Sequence, residues 1–245
     1  MELANQLRVK IFSDGADKAD MLAMVKKPFI KGLTTNPTLM RKAGVADYEA
    51  FAKDILSVIK DVPLSFEVFS DDFAEMRKQA YKIASWGANV YVKIPVTNTQ
   101  GETCYALAKE LAAAQIKQNI TAVFTLEQVQ AVTDALAQGP SAYVSIFAGR
   151  IADTGRDPVP LMKKAIEVLK PHRQLELIWA SPREILNVFQ ANEIGCHIIT
   201  VTSDILNKLS LVGKDLQEFS LETVKMFYND ALAAGFELCT EEVNC

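Results

Sequence analysis

A chain of 245 residues that is 49% hydrophobic, with a mean hydropathy of +0.09, holds enough apolar material for one sizeable core, which argues against disorder. Its formal net charge of −4 and pI near 5.4 lack the clustered positive charge that DNA, RNA or an anionic membrane surface demands of a partner, so nucleic acid and membrane binding are set aside. The start MELANQLRVK has no apolar stretch behind a basic end, and no apolar run of about 18 residues follows, so the expectation is a cytoplasmic, unprocessed protein.

The first short apolar segment, LRVKIF at 7–12, runs on into Asp14. The second, FIKGLT at 29–34, ends at T-T-N-P, where Pro37 enforces a turn. The third, LSFEVF at 64–69, contains Glu67; behind it Ser70, Asp71 and Asp72 supply an N-cap and an acidic first turn for a helix over 71–86. NVYVKIPV at 89–96 carries Lys93 and precedes a helical pattern at 101–114. ITAVF at 120–124 follows Asn119, and AYVSIF at 142–147 encloses Ser145. A helix over 157–170 has Pro158 at its start, LELIWA at 175–180 leads to Pro182 near the next helix, and CHIITV at 196–201 is the eighth segment. A further amphipathic helix is expected over about 219–236, and the tail 238–245 is expected to be exposed or poorly ordered.

Strands that alternate with helices are parallel, because each crossover returns the chain to the same end of the sheet. Eight repeats without a break in composition predict a closed (β/α)8 TIM barrel, one domain over 1–245 with an extra C-terminal helix. The competing open, doubly wound sheet usually carries a glycine-rich phosphate turn after its first strand, and no G-x-G-x-x-G occurs here.

Parallel strands buried on both faces should read as nearly continuous apolar runs. Glu67, Lys93, Asn119, Thr121 and Ser145 interrupt that pattern, and Asp14 closes the first strand. An isolated buried charge costs several kcal/mol, so such groups persist when paired, when facing a cavity, or when used. All six fall late in their strands, the end where barrel chemistry takes place. Residues two apart share a face, so Asn119 pairs in direction with Thr121, Ser145 with Phe147, and Lys93 with Tyr91 and Pro95.

Lys93, enclosed by Tyr91, Val92, Ile94 and Pro95, is desolvated, which favours the neutral amine that attacks carbonyls. The competing reading is a lysine ion-paired with Glu67 or Asp14 for packing alone. Those two carboxylates also supply proton transfers: one serves imine formation, the other takes a hydroxyl proton as a C–C bond breaks. After the sixth and seventh segments, Arg150, Ser181 and Arg183 are candidates for an anion site, since guanidinium forks match phosphate oxygens; Arg156, among Asp153 and Asp157, reads as a surface arginine. Cys104, Cys196, Cys239, Cys245, His172 and His197 lie at spacings that match no metal site, and none is assigned to catalysis.

KGLTTNPTL at 31–39 resembles the second-strand signature of transaldolases and the related fructose-6-phosphate aldolases, and the likeness continues through NVYVKIPVT, NITAVFT and VSIFAGRIAD, covering roughly residues 8 to 210. The resemblance implies a class I aldolase-like barrel in which Lys93 forms the Schiff base and Asp14, Glu67, Asn119, Thr121 and Ser145 surround it. Asn36 then contacts the hydroxyls of the dihydroxyacetone unit, Thr35 belongs with it to the substrate-binding set, and Arg150, Ser181 and Arg183 hold phosphate. Glutamate at position 67 and phenylalanine at 147 resemble the transaldolase branch; the aldolase branch is similar but carries glutamine and tyrosine there. The implied activity is transfer of a dihydroxyacetone unit from a ketose phosphate to an aldose phosphate, as in the pentose phosphate pathway. The alternatives are an aldolase that releases dihydroxyacetone, a transaldolase for another anionic sugar, and a barrel that has lost catalysis. The partners are small sugar phosphates, and the resemblance to the compact subfamily implies a homo-oligomer. No metal or organic cofactor is expected, because the iminium itself is the electron sink.

Overall fold

The computed structural model describes residues 6–238. Eight parallel strands close on themselves in the order in which they occur along the chain: β1 (Lys10–Asp14), β2 (Ile30–Thr34), β3 (Leu64–Glu67), β4 (Val90–Pro95), β5 (Gln118–Val123), β6 (Ala142–Ile146), β7 (Leu175–Trp179) and β8 (Ile198–Thr202). Between them run α1 (Lys18–Val25), α2 (Pro37–Lys42), α3 (Tyr48–Val58), α4 (Phe73–Ala84), α5 (Tyr105–Ala113), α6 (Leu126–Leu136), α7 (Ala148–Ala152), α8 (Val159–Leu169) and α9 (Leu186–Glu193). A short helix, α10 (Ser203–Leu206), follows β8.

The predicted (β/α)8 barrel is what forms, and each of the eight apolar segments contributes one strand. The largest shift is at the first, which begins at Lys10 and extends to Asp14 in place of 7–12, pairing with β2 and β8 on its two sides. Helix starts follow local chemistry. Asp72 caps α4 by accepting from Glu75 N–H, while its neighbour Asp71 turns away to accept from Thr99. Thr125 and Gln128 form a reciprocal capping box at α6.

Alternation sorts the apolar strand residues into two masses, an outer one under the helices and an inner one drawn from β1, β4, β6, β7 and β8. Val92 and Ile94 of β4 face the helices, whereas Phe12, Tyr91, Tyr143, Ile178, Ala180 and Ile198 pack together inside the barrel. Tyr91 and Tyr143 stack with centroids 4.1 Å apart, and Phe12 meets Tyr143 edge-on at 5.7 Å. Gly32 makes room for this layer: a Cβ there would lie 2.6 Å from the Phe12 ring. The aromatic layer closes the barrel below Lys93, which follows Tyr91 by two residues on the same face.

From Ser210 onward the chain forms a separate unit built on α11 (Leu216–Ala234). Asp215 caps it and Gly235, at φ +65°, ends it, so the helix starts three residues before the first apolar residue of the predicted 219–236 segment. Of the expected tail, 239–245 lies outside the described residues, as do Cys239 and Cys245. No helix among the described residues is long and apolar enough to cross a membrane.

Candidate active site

At the C-terminal ends of the strands opens a cavity of about 630 Å³ bordered by Asp14, Asn36, Glu67, Lys93, Asn119, Thr121, Ser145, Phe147, Arg150, Ser181 and Arg183. These come from seven of the eight strands or the loops that follow them, so residues spread over 170 positions of sequence converge. Thr35 is the one expected site residue that does not border the cavity. Its side chain is buried with an unpartnered hydroxyl, and its carbonyl accepts from Lys93 at 3.1 Å.

Lys93 and Glu67 occupy adjacent strands in register, and Nζ stands 3.1 Å from Oε2 with both side chains nearly enclosed. The ion pair that a packing lysine would make is therefore present. What separates this pair from a packing pair is that both members face an open space with a further carboxylate beside it. Asp14 is that carboxylate. Burial lifts its pKa above the ordinary 3.8, the Lys93 charge and the Thr34 hydroxyl pull it down, and Glu67 lifts it again. Thr34 donates to Asp14 Oδ1 at 2.7 Å, and the Thr34 and Thr200 hydroxyls lie 2.5 Å apart.

Asn119 is held at both ends: its amide donates to Ser65 Oγ at 3.0 Å and its carbonyl accepts from Ser145 Oγ at 2.7 Å. One amide hydrogen is left for the cavity. Thr121 borders the cavity, and its Oγ1 is buried and unpartnered among the described residues. Asn36 caps α2 with its carbonyl on Leu39 N–H at 3.0 Å, which frees its amide hydrogens. Tyr48 donates to the Glu67 carbonyl at 2.7 Å and stacks edge-on against Phe66 and Phe69, anchoring the end of β3.

Two non-glycine residues on the cavity wall have left-handed backbone, Ala122 at φ +58° and Ser181 at φ +60°. Such conformations cost on the order of 1–3 kcal/mol and gather at sites that need them. Ala122 sits where the β5–β6 register slips between Ile120 and Val123. Ser181 turns its carbonyl onto Gly149 so closely that a Cβ at position 149 would lie 1.6 Å from it. This contact draws the loops after β6 and β7 together and brings Arg150 near Arg183.

The two arginines differ. Arg183 grips Asp153 through Nε and Nη2, and that grip holds the Asp153 carboxyl below its ordinary value. Arg150 makes no ion pair among the described residues and lies 5.4 Å over the Phe147 ring. Arg156 is exposed, bonded to Thr154, and away from the cavity. Lys42, Thr200, Thr202 and Asp204 also border the cavity and were not singled out from sequence. Thr200 carried a readable signal, a polar residue in an otherwise apolar strand; Lys42 lies on an exposed helix end and carried none.

The buried thiols Cys104 and Cys196 are pushed up to about 12 by burial, which leaves them protonated and inert at neutral pH. His197 accepts from Leu177 N–H through Nδ1 at 3.1 Å, a packing role. At the opposite barrel mouth a depression of about 510 Å³ is lined by Lys10, Lys31, Lys60 and Lys117 around the tyrosine layer; it contains no enclosed lysine–carboxylate pair.

Residues 11–238 match the family model described as transaldolase/fructose-6-phosphate aldolase. A protein of Dehalococcoides mccartyi named probable transaldolase is 35% identical over 202 residues, 82% of this chain and 90% of that protein. Probable transaldolase 2 of Listeria monocytogenes is 34% identical over 215 residues, 86% of this chain and 94% of the relative. Among solved structures, a putative phosphonomutase from Burkholderia cenocepacia superposes with a TM-score of 0.57 at 11% identity, covering 93% of this chain and 98% of its own. A 2,3-dimethylmalate lyase does so with a TM-score of 0.54 at 11% identity, over 99% of this chain and 89% of its own. Both likenesses speak to the barrel alone. The extent of the family match and the identity to these relatives establish that the chain belongs to the transaldolase/fructose-6-phosphate aldolase family.

Proposed function

We propose that this protein is a cytoplasmic transaldolase that moves a dihydroxyacetone unit from a ketose phosphate to an aldose phosphate through a Schiff base on Lys93. The observation that carries the reading is the enclosed contact of 3.1 Å between Lys93 Nζ and Glu67 Oε2, with Asp14 on the same cavity. Lys93 passes a proton to Glu67 and attacks the ketose carbonyl; the carbinolamine then loses water, with Glu67 and a water held by Thr121 moving the protons. In the next step Asp14 takes the proton of the sugar hydroxyl on the carbon beyond the bond to be cut. That oxygen becomes the carbonyl of the departing aldose, the C–C bond breaks, and its electron pair passes into the iminium to give a neutral enamine. The free amide hydrogens of Asn36 and Asn119 hold the hydroxyls of the three-carbon unit. An acceptor aldehyde then reverses these steps.

Borohydride reduction in the presence of fructose 6-phosphate tests the covalent step, and the dependence of turnover on an added acceptor aldehyde tests transfer. Fructose 6-phosphate consumed at full rate with release of free dihydroxyacetone and no acceptor would mean an aldolase. Since glutamate at 67 and phenylalanine at 147 motivate the transferase reading, Glu67→Gln combined with Phe147→Tyr is expected to raise release relative to transfer. An unchanged ratio would show that other positions set the branch.

Arg150 and Arg183 are assigned to the terminal anion of the sugar. Truncating Arg150 to alanine removes one charge-assisted contact of roughly 1.5–3 kcal/mol, an expected loss of about ten- to hundredfold in kcat/KM with a phosphorylated acceptor. Arg183→Ala should lose in the same direction, and lysine should restore little at either position because a point charge replaces a planar fork. The check is kcat/KM with a phosphorylated and an unphosphorylated acceptor and one common donor; equal losses on both would remove the arginines from anion recognition.

A further inference from the structure

The hydroxyls beside Asp14 obey a proton count that fixes their direction. Thr34 Oγ1 lies 2.7 Å from Asp14 Oδ1 and 2.5 Å from Thr200 Oγ1, and it owns a single hydrogen. An ionised carboxylate only accepts, so Thr34 must give that hydrogen to Asp14, and the Thr34–Thr200 contact is then made with the hydrogen of Thr200. The three groups sit on three neighbouring strands, β8, β1 and β2, with Asp14 paired in register with Thr34. Thr34 and Thr200 are both buried, at 3% and 6% exposure, and both border the same cavity as Asp14.

We propose that Thr200 is a positioning residue for the proton-transfer step: by donating to Thr34 it commits the Thr34 hydrogen to Asp14 Oδ1 and reserves Oδ2 for the sugar hydroxyl. The inference rests on the Schiff-base reading above and adds to it a relay that orients the base. Without the Thr200 hydroxyl, Thr34 is free to rotate its hydrogen away, and Asp14 loses a fixed acceptor geometry together with a contact that favours its ionised form. The other charged groups that act on Asp14 are Lys93 and Glu67; Lys42, Arg150, Arg183 and Asp204 border the same cavity.

Thr200→Val keeps the shape and deletes the hydroxyl, whereas Thr200→Ser keeps the hydroxyl. In the valine variant kcat should fall by about tenfold, the worth of one ordinary buried hydrogen bond. The acid limb of its pH–rate profile should move to higher pH, since Asp14 then holds its proton more tightly. Borohydride trapping of Lys93 with fructose 6-phosphate should stay at the wild-type level, and serine should restore both kcat and the acid limb. In a Thr34→Val background the Thr200→Val change should add nothing, because Thr200 acts through Thr34. A valine variant with the wild-type pH profile overturns the proposal. So does a trapping loss as large as the kcat loss, or an additive double variant, either of which points to general disruption of the barrel. Absence of a trapped adduct in the wild-type protein overturns the Schiff-base reading and the relay with it, so the two failures are told apart by the wild-type lane.

Discussion

Replacing Lys93 with alanine is expected to abolish both turnover and reductive trapping. The reason is positional. Lys93 is the lysine enclosed within a strand among the described residues, 8% exposed at its side chain, whereas the lysines of the surface ion pairs are 24–71% exposed. Only an amine at the floor of the cavity meets a ketose carbonyl with a carboxylate in contact to take its proton. Truncation leaves Glu67 without its partner, and breaking a fully buried pair costs on the order of 3–5 kcal/mol. Here Glu67 borders a cavity that water can fill, so the cost is smaller and the variant should still fold. Lys93→Met, which keeps the volume, separates loss of the amine from loss of packing. Intact mass after borohydride treatment with fructose 6-phosphate is the measurement: an adduct on the wild type and none on either variant is the expected result. Covalent trapping retained in both variants would falsify the assignment of Lys93.

Asp14→Asn is the second large effect, and it should act on activity and stability in opposite directions. Asparagine cannot take the hydroxyl proton, so kcat should fall by about a hundred- to ten-thousandfold, the usual worth of a general base. Trapping should persist, because imine formation relies on Glu67. The stability effect follows from the raised pKa. Burial is the dominant cause of that rise, so folded Asp14 holds its proton more tightly than the unfolded chain does. Between the ordinary value of 3.8 and the folded value the native state binds more protons, so stability declines as pH rises through that window and stays reduced above it. Asparagine has no charge to desolvate and still accepts from Thr34. The variant should therefore melt higher than the wild type at neutral pH, and its advantage should shrink as pH falls toward the ordinary carboxylate range. Melting curves across that range check this; a variant that melts lower at pH 8 would mean that attraction to Lys93 outweighs burial.

Both variants bear on a trade that barrel sites make. Lys93, Glu67 and Asp14 lie where the strand pattern asks for apolar residues, and the conflict is what made them visible in the sequence. The backbone shows the same conflict at Ala122 and Ser181, held in left-handed conformations that cost free energy in a residue with a side chain.

Local chemistry determined the architecture of the barrel. Period and composition marked all eight strands, because a strand buried on both faces must be apolar along its length, and parallel pairing follows from the helices between them. The same rule exposed Glu67, Lys93, Asn119, Thr121 and Ser145, since a polar residue in such a strand stands out one residue at a time. Tertiary structure alone decided who meets whom. That Asp153 grips Arg183, 30 positions away, and that Thr200 lies against Thr34, 166 positions away, depends on which strands become neighbours when the barrel closes. Position 149 needs glycine only because the Ser181 carbonyl lands on it. Thr35 shows the limit from the other side: the resemblance put it in the expected site, yet its hydroxyl is buried without a partner among the described residues and it is its carbonyl that meets Lys93. A sequence fixes the face each side chain takes along its own strand; the distance between faces on different strands is a property of the closed barrel.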